Sequence, residues 1–279
     1  MSGMLYLVPT PIGNLGDISQ RCAQTLAQAD FIAAEDTRVT LKLLNHLGIK
    51  KSLVSYYEHN KAAQGEKIVA RILEGQICAL VSDAGSPAIS DPGEDLVRLC
   101  AQAGIPVCAI PGPCAAITAL SISAQATGRF CFEGFLSTAG KSRREHLDSL
   151  REEKRTMIFY EAPHKLEATL QDMISYFGAD RPISLCRELT KLHEEVIRTT
   201  LGEALERCSQ IPPKGEYVLV VAGLPDIPAA MPETADITAH LNSLMEQGLS
   251  RKDAIRQTAK DLKLPKNAVY EIATKEASE

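Results

Sequence analysis

The stretch from Ile77 to Gly93 constrains the fold more than any other part of the sequence. It opens with an uninterrupted apolar run, Ile77 to Val81, whose length suits a strand buried in a parallel sheet. Small, turn-forming residues follow, and Asp91, Pro92 and Glu94 are spaced as the N-cap, N1 and N3 residues of a helix. A strand, an exposed loop and a helix N-terminus in this order are typical of an α/β sheet, which binds ligands at the carboxyl ends of its strands.

The loop between that strand and helix offers groups that a ligand could use. Gly85 lets a ligand approach the backbone closely, because it has no side chain. Asp83 and Ser86 add a carboxylate and a hydroxyl beside it. A tight turn before a helix needs similar residues, so this loop by itself leaves a binding site and a simple turn equally open.

Short apolar runs followed by polar or Gly/Pro-rich clusters recur along the first half of the chain. Strands are predicted over Met4–Val8, Phe31–Ala34, Leu53–Tyr57, Ile77–Val81 and Val107–Ile110. Helices are predicted over Ser19–Ala27, 41–47, Lys67–Leu73 and Val97–Ala103. This alternation predicts an α/β fold with a parallel sheet, in which every polar cluster lies at the same edge. That convergence indicates a small-molecule site.

Two familiar phosphate-binding motifs are absent. The loop from Pro9 to Asp17 is stiff and turn-rich, but it does not contain the G-x-G-x-x-G fingerprint of dinucleotide-binding folds. Gly134 to Ser142 looks like a P-loop, yet five residues separate Gly134 from Gly140 where the motif needs four. Since the phosphate cradle depends on that spacing, we reject a P-loop here.

A second α/β unit begins near Gly128. Its strands are predicted over Met157–Tyr160, Ile183–Cys186, His193–Thr199 and Tyr217–Ala222. The alternation of charged and apolar residues predicts that the strand from His193 lies at a sheet edge. Proline and alanine dominate residues 223–232, which are therefore predicted to be a linker.

The residues after the linker predict a small helical module. One helix is expected over Ile237–Gln247, Ser250 is expected to cap a second helix, and Leu264-Pro265 leads into a third. This pattern resembles a helix-turn-helix fold. From Leu249 to Lys275 there are seven Lys or Arg and three Asp or Glu, so that segment carries +4 on a chain of −5. The local excess of positive charge favours nucleic-acid binding over packing against a dimer partner.

Length and composition bound the remaining possibilities. With 279 residues, two α/β domains are favoured over one large one, and we predict domains at 1–116, 117–225 and 233–279. The acidic balance argues against a general polyanion binder. Eight scattered cysteines without a C-x-x-C pair favour reduced thiols in the cytoplasm over disulfides or a metal site. No apolar run approaches a membrane span, and no signal peptide is evident.

Seven segments of the chain resemble the ribosomal RNA small subunit methyltransferase I family of the tetrapyrrole-methylase-like superfamily. In family order they are Leu7–Asp17, Ala34–Arg38, Val81–Gly93, Pro111–Pro113, Tyr160–His164, Arg187–Lys191 and Lys214–Glu216. The resemblance implies two α/β domains with S-adenosylmethionine in the cleft between them, and a homodimer. It also implies methyl transfer to a cytidine ribose 2′-hydroxyl in the decoding region of 16S rRNA, within the 30S subunit.

The resemblance also implies which residues line the cofactor pocket. From the first domain these are Pro11, Asp83, Gly85, Ser86, Cys114 and Ala115. From the second domain they are Tyr160, Leu189, Lys214 and Gly215. Cys114 departs from the family pattern, in which serine is more usual. A backbone contact at that position would survive the change, whereas a hydroxyl contact would not.

Methyl transfer to a ribose hydroxyl needs close positioning and a base that accepts the hydroxyl proton. Glu35, Asp36 and His59 are the candidates for the base, and Arg38 and Lys61 for phosphate contacts. It stays open whether these residues only hold RNA. In the helical module, the expected phosphate contacts are Arg251, Lys252, Arg256, Lys260 and Lys266. The alternative is that the module only packs against protein.

Two other functions compete with rRNA methylation. The first is methylation of a tetrapyrrole or a protein residue, which would not need a basic helical module. The second is a non-catalytic RNA-binding or assembly role in a protein that has lost its cofactor. The presence of Pro11, Asp83 and Gly85 argues against this second role.

Overall fold

The computed structural model describes residues 3–225, 234–262 and 264–276. The chain divides into two compact units, Met1–Leu224 and Pro225–Glu279. No helix in the described part of the chain is long and apolar enough to span a membrane. Of the predicted linker over 223–232, residues 226–232 lie outside the described residues.

The first half of the larger unit contains a parallel sheet of five strands. The strands are β1 (Met4–Leu7), β2 (Phe31–Ala34), β3 (Ser52–Ser55), β4 (Ile77–Val81) and β5 (Val107–Ala109). Their order is β3-β2-β4-β1-β5, and every neighbouring pair is parallel. The predicted α/β fold is confirmed here. Because the strands are parallel, the loops that follow them all leave from one edge of the sheet.

Helices cover both faces of this sheet. They are α1 (Gln20–Gln28), α2 (Thr37–His46), α3 (Lys61–Leu73), α4 (Gly93–Gln102) and α5 (Ala115–Ile122). Successive strand residues point to opposite faces, so Leu80 packs with α3 and α4 while Ala79 and Val81 pack with α1 and α2. Both faces are thus buried, which explains the continuous apolar runs of β2 and β4.

The helix after β4 begins differently from the prediction. The prediction that Asp91 is its N-cap is wrong, because α4 begins at Gly93 and Pro92 occupies the N-cap. The turn before it contains two left-handed residues, Ala88 at φ +70° and Ser90 at φ +62°. These residues end the turn one position later than a simple capping pattern implies. The N-cap residue Pro92 has no polar side chain, so α4 begins without a side-chain cap hydrogen bond.

The second half contains a mixed sheet of five strands. They are β6 (Phe130–Phe135), β7 (Thr156–Glu161), β8 (Pro182–Arg187), β9 (Glu195–Thr200) and β10 (Tyr217–Val221). Their order is β6-β7-β10-β8-β9, with β6 and β7 parallel and the other pairs antiparallel. The prediction of an edge strand at β9 is confirmed. Three helices accompany this sheet, α6 (Gly140–Ser149), α7 (Leu166–Phe177) and α8 (Leu201–Gln210).

Helix α5 connects the two sheets. It follows the last strand of the first sheet, yet its buried side chains pack on the second. Ala116, Ala119 and Leu120 form one apolar cluster with Ile158 and Val220. The carboxyl edge of the first sheet is thereby held beside the second sheet.

The smaller unit contains three helices, α9 (Thr234–Glu246), α10 (Arg251–Asp261) and α11 (Lys266–Glu276). Ile237, Leu241, Ala254 and Val269 belong to its own apolar core. Ser250 is the N-cap of α10, as predicted, and its hydroxyl oxygen accepts a hydrogen bond of 3.2 Å from the Asp253 amide.

Candidate functional site

A cavity of about 540 Å³ lies where the loops of the first sheet meet the second sheet. Its volume is within the range of about 300 to 1,000 Å³ that is usual for small-molecule sites. The first half contributes residues that follow β1, β2, β4 and β5, and the second half contributes residues at one end of β7, β8 and β10. The polar clusters that follow β1, β2, β4 and β5 thus do converge on one cavity, whereas the cluster that follows β3 does not line it.

Paired backbone hydrogen bonds join the loops after β1 and β4. The Thr10 amide donates to the Gly85 carbonyl at 2.9 Å, and the Gly85 amide donates to the Thr10 carbonyl at 3.0 Å. Gly85 has φ +84°, a conformation that favours glycine, and a Cβ there would lie 3.3 Å from Cγ2 of Ile12. Any side chain at Gly85 would therefore strain the backbone and crowd the cavity wall.

The β4 loop is also tied to the start of α5. The Ser86 hydroxyl donates to the Pro113 carbonyl at 3.0 Å. Cys114 is the N-cap of α5, but its side chain makes no cap hydrogen bond. The amide of Ala116 instead donates to the hydroxyl oxygen of Tyr160 at 3.2 Å. A side chain of the second sheet thus accepts a hydrogen bond from a backbone amide in the first turn of α5, the helix that follows the first sheet.

Tyr160 is held firmly in the opposite wall. Its ring makes edge contacts with Phe132 and Phe135, at centroid distances of 5.0 and 5.5 Å. Burial raises the pKa of Tyr160 to about 12. The hydroxyl consequently stays protonated at neutral pH, and it can donate to a ligand while it accepts from Ala116.

Two apolar side chains in the cavity wall, Ile89 and Leu189, belong to turns. In each turn the residue before and the residue after have a left-handed backbone conformation. Ile89 lies between Ala88 and Ser90, and Leu189 lies between Glu188 at φ +51° and Thr190 at φ +66°. Such conformations cost free energy in non-glycine residues and cluster at functional sites. The Glu188 turn is held by hydrogen bonds from the Glu216 amide at 2.9 Å and from Lys191 Nζ at 2.8 Å.

Three carboxylates of the first half, Glu35, Asp83 and Asp91, also line the cavity. Burial is the main cause that raises the pKa of Glu35; the charges of Asp83 and Asp36 raise it further, while a hydrogen bond from the Asp83 amide opposes the shift. Burial, and then the charge of Glu35, raise the pKa of Asp91 to about 6. The site therefore carries negative charge at neutral pH, and partial burial makes the charged forms of Glu35 and Asp91 less favourable than they are in water.

Seven of the ten predicted cofactor-binding residues line the cavity, and the other three do not. The cavity wall includes Asp83, Gly85, Ser86, Cys114, Ala115, Tyr160 and Leu189. Pro11 lies in a separate recess beside Leu15 and Val39. Lys214 and Gly215 lie behind the wall: the Lys214 carbonyl accepts from Arg187 Nε at 2.6 Å, and a Cβ on Gly215 would lie 2.5 Å from Cγ of Glu188.

The predicted bases and phosphate contacts are not brought together. Of the three candidate bases, Glu35 alone lines the cavity. Asp36 caps α2 and pairs with Arg38 at 2.6 Å, and hydrogen bonds from Arg38 lower the pKa of Asp36 to about 2. His59 is exposed in the turn before α3 and contacts the Tyr57 ring.

The two predicted phosphate contacts of the first half differ in their surroundings. Lys61 pairs with Glu58 and with Asp95, both at 2.7 Å, so its charge is compensated within the protein. The Arg38 side chain, although paired with Asp36, is 86% exposed. Of these two cations, Arg38 is the better placed to meet a large ligand.

Residues that the sequence did not single out complete the cavity wall. They are chiefly Ile12, Ile89, Asp91, Phe135, Glu161 and His164. The resemblance covered Ile12, Asp91, Glu161 and His164 without assigning them a role, whereas Phe135 had no signal beyond its position in an apolar strand. Asp91 was missed because its capping pattern gave it another role.

The matched family model is "Tetrapyrrole (Corrin/Porphyrin) Methylases", over residues 4–205. A ribosomal RNA small subunit methyltransferase I from Synechocystis sp. is 48% identical over 273 residues, which are 97% of each chain. That of Halalkalibacterium halodurans is 47% identical over 273 residues, 97% of this chain and 94% of the relative.

The fold is also similar to a solved structure of uroporphyrin-III C-methyltransferase from Thermus thermophilus in complex with S-adenosylhomocysteine. The TM-score is 0.56 at 15% identity, over 79% of this chain and 97% of that one. At this identity the likeness concerns the fold alone. The family model, the two relatives and this shared fold show that the chain has the tetrapyrrole methylase fold, and the two relatives establish that it belongs to the ribosomal RNA small subunit methyltransferase I family.

Proposed function

We propose that this protein transfers the methyl group of S-adenosylmethionine to the 2′-hydroxyl of a cytidine ribose in the decoding region of 16S rRNA. Family membership makes the chain an S-adenosylmethionine-dependent methyltransferase of small-subunit rRNA; the nucleotide and the acceptor atom are the proposal. The observation that carries it is the cavity of about 540 Å³ between the two sheets, whose lining includes the carboxylates of Glu35, Asp83 and Asp91. We further propose a homodimer that acts in the cytoplasm.

The residues of the cavity fit the cofactor. Ile12, Leu189 and the Tyr160 ring offer apolar surface, while Asp83 and Ser86 offer a few polar groups, a combination usual for cofactor sites. Gly85 leaves open the space that a Cβ would fill. When bound, S-adenosylmethionine supplies a methyl group on a positively charged sulfonium. The carboxylates favour that charge electrostatically.

The chain's own part in the reaction is positioning and proton removal. Placing the ribose hydroxyl in line with the methyl group supplies much of the acceleration. The proton acceptor has to reach the cavity, and His59 does not line it. Asp36 lies outside it as well, and its pKa of about 2 makes it a weak base. A carboxylate of the cavity wall is therefore the proposed acceptor.

The basic module supports an RNA substrate. Lys252, Arg256 and Lys260 recur every four residues on α10, so they share one exposed face of the helix. Neither these three residues nor the exposed Lys266 form an ion pair within the described part of the chain. Arg251 differs, because its guanidinium donates to the Ala273 carbonyl inside the module. Four free cations are suited to phosphate contacts.

The decisive experiment follows a labelled methyl group. Purified 30S subunits and naked 16S rRNA are incubated with the protein and S-adenosylmethionine labelled in the methyl group, and the labelled nucleotide is mapped. We expect one 2′-O-methylcytidine, formed more readily in subunits. Label on a nucleobase or on protein would contradict the proposal. Binding of the cofactor, measured by calorimetry, without any transfer would favour the non-catalytic role.

A further inference from the structure

We propose that Asp91 is the group that accepts the proton of the ribose hydroxyl, and that Glu35 is a positioning residue for it. This inference rests on the proposed function, and it assigns a role to a residue that the capping pattern had placed elsewhere. The evidence is the position of Asp91 between cavities, its spare hydrogen-bonding capacity and the charges that surround it.

Glu35 and Asp91 lie where three spaces meet. Within the described residues they alone line the main cavity, a void of about 10 Å³ beside Tyr56, and an outer recess of about 440 Å³. The outer recess opens beside α3 and α4, through Glu58, Lys61 and Asp95. Asp91 can therefore meet a substrate in the main cavity and pass its proton outwards to solvent.

The backbone fixes Asp91 at this junction. Two left-handed residues, Ala88 and Ser90, precede it, and Pro92 follows it with φ fixed near −66°. The Ser82 hydroxyl donates to the Ala84 carbonyl at 3.4 Å, and its proximity to the Asp91 carboxylate lowers the pKa of Asp91 slightly against the effect of burial. Glu35 is less available, because the Asp83 amide donates to its Oε2 at 3.4 Å. Both carboxylates thus keep lone pairs for a substrate hydroxyl, and of the two only Glu35 accepts a backbone amide.

Asp91 is half-buried, and no cationic side chain among its described neighbours pairs with it. The titratable groups on the cavity side are Glu35, Asp83, Cys114, Tyr160, Glu161, His164, Cys186, Glu216 and Tyr217. On the recess side they are Glu35, Glu58, Lys61, Glu94 and Asp95. The only lysine or arginine among them, Lys61, is paired with Glu58 and Asp95. Burial and the neighbouring carboxylates together raise the pKa of Asp91 to about 6, close to the value of an effective base at neutral pH.

The proposed step is balanced. The ribose oxygen forms a bond to the methyl carbon while the carbon–sulfur bond breaks, and the electron pair of that bond returns to sulfur. The hydroxyl proton moves to the Asp91 carboxylate. A positive sulfonium and a negative carboxylate are replaced by a neutral thioether and a neutral carboxylic acid, so the site loses a charge pair and needs no other reactant.

The test compares Asp91→Asn, Glu35→Gln and a matched control, Asp148→Asn, which removes an exposed carboxylate paired with Arg151 and lines none of the three spaces. For Asp91→Asn we expect kcat on 30S subunits to fall by about 10² to 10⁴, the usual contribution of a general base. Calorimetric affinity for S-adenosylhomocysteine, which lacks the sulfonium charge, and subunit binding should change by less than about threefold, since Asn has the same shape. Asp148→Asn should behave as wild type.

The pH profile distinguishes the two carboxylates. The wild-type rate should fall below about pH 6, as Asp91 becomes protonated. Glu35→Gln should move that limb to lower pH, because it removes a negative charge that raises the pKa of Asp91. Asp91→Asn should abolish the limb. If instead Glu35→Gln abolished it and Asp91→Asn only shifted it, the roles would be reversed and the proposal overturned.

A measurement that does not depend on turnover completes the test. In ¹³C-labelled, cofactor-free protein, the Asp91 carboxyl resonance should titrate near pH 6, and lower in Glu35→Gln. A titration near the ordinary value of about 4 would overturn the proposal, even if Asp91→Asn failed to fold. An active Asp91→Asn protein would overturn the Asp91 assignment alone. Wild-type protein that transfers no label would instead refute the proposed function.

Discussion

The hydroxyl oxygen of Tyr160 lies 3.2 Å from the backbone nitrogen of Ala116 and accepts its hydrogen bond. Tyr160 ends a strand of the second sheet, while Ala116 belongs to the first turn of the helix that leaves the first sheet. The first amides of a helix have no partner within it. One tyrosine therefore completes a helix end and fixes the wall of the proposed cofactor pocket.

Tyr160→Phe tests this relationship. The ring and its contacts with Phe132 and Phe135 remain, but the Ala116 amide loses its partner. We expect the free energy of unfolding to fall by about 1 to 3 kcal/mol, the usual cost of an unsatisfied buried donor, and cofactor affinity to weaken. Urea titration and calorimetry measure the two effects. Tyr270→Phe, at a 56% exposed position of the smaller unit, is the control and should change neither.

Gly85→Val tests the proposed cofactor contact at the β4 loop. The substitution forces a branched side chain into a left-handed conformation and against Ile12, so both stability and cofactor affinity should fall. Gly104→Val is the matched control, because Gly104 has φ +69° and nothing within 4 Å of its Cβ position. It should lose stability alone, as measured by urea titration. A folded Gly85→Val protein with unchanged cofactor affinity in calorimetry would remove Gly85 from the pocket.

The stability of Asp91→Asn should depend on pH in a defined direction. The pKa of Asp91 is raised from 3.8 to about 6, so the folded state holds its proton more tightly than the unfolded state. Ionisation therefore destabilises the native protein progressively as pH rises from about 4 to 6. After allowance for solvent screening at this half-exposed site, we expect Asp91→Asn to be more stable by about 1 to 2 kcal/mol at pH 7.

Urea titrations of both proteins between pH 4 and 8 check this expectation. The two stabilities should approach each other towards pH 4 and meet only below it, where Asp91 is protonated in both states. The gain should be absent in Asp148→Asn, whose carboxylate is exposed. A stability difference that stays constant across the pH range would show that the Asp91 carboxylate carries no desolvation cost.

The exposed stripe of α10 provides a test of the RNA-docking proposal. Replacing Lys252, Arg256 and Lys260 by Gln should weaken 30S binding and reduce its log–log salt slope by about 2 to 3. Calorimetric cofactor binding should stay unchanged. Replacing three exposed cations of the larger unit, Lys50, Lys67 and Arg129, controls for net charge and should affect subunit binding less. Truncation after Pro232 should act as the triple variant does; full activity of the truncated protein through a salt series would refute docking.

How much of the fold the sequence predicts depends on burial. The predicted bounds of Phe31–Ala34 and Ile77–Val81 match the structure, because strands buried on both faces appear as uninterrupted apolar runs. Helix α3 begins at Lys61, six residues before the predicted start, since its first turns carry polar residues without an apolar stripe. Periodicity detects what is buried and misses exposed turns of the same element.

The candidate site is less predictable, because its contacts join distant parts of the chain. Nothing near Lys61 in sequence indicates Asp95, which neutralises it. Asp91 has the local pattern of a helix cap, yet the two left-handed residues before it leave it in the cavity wall. Gly215 belongs to a family motif, but its place behind the wall follows from its contact with Glu188, 27 residues earlier.

Helix α5 also has a thermodynamic consequence. Its first residues line the cavity, while its buried face belongs to the core of the second sheet. Separating the two sheets would expose that face and open the cavity in the same step. The larger unit should therefore melt in a single cooperative transition, and a bound cofactor should raise the midpoint of that whole transition in proportion to the logarithm of its concentration.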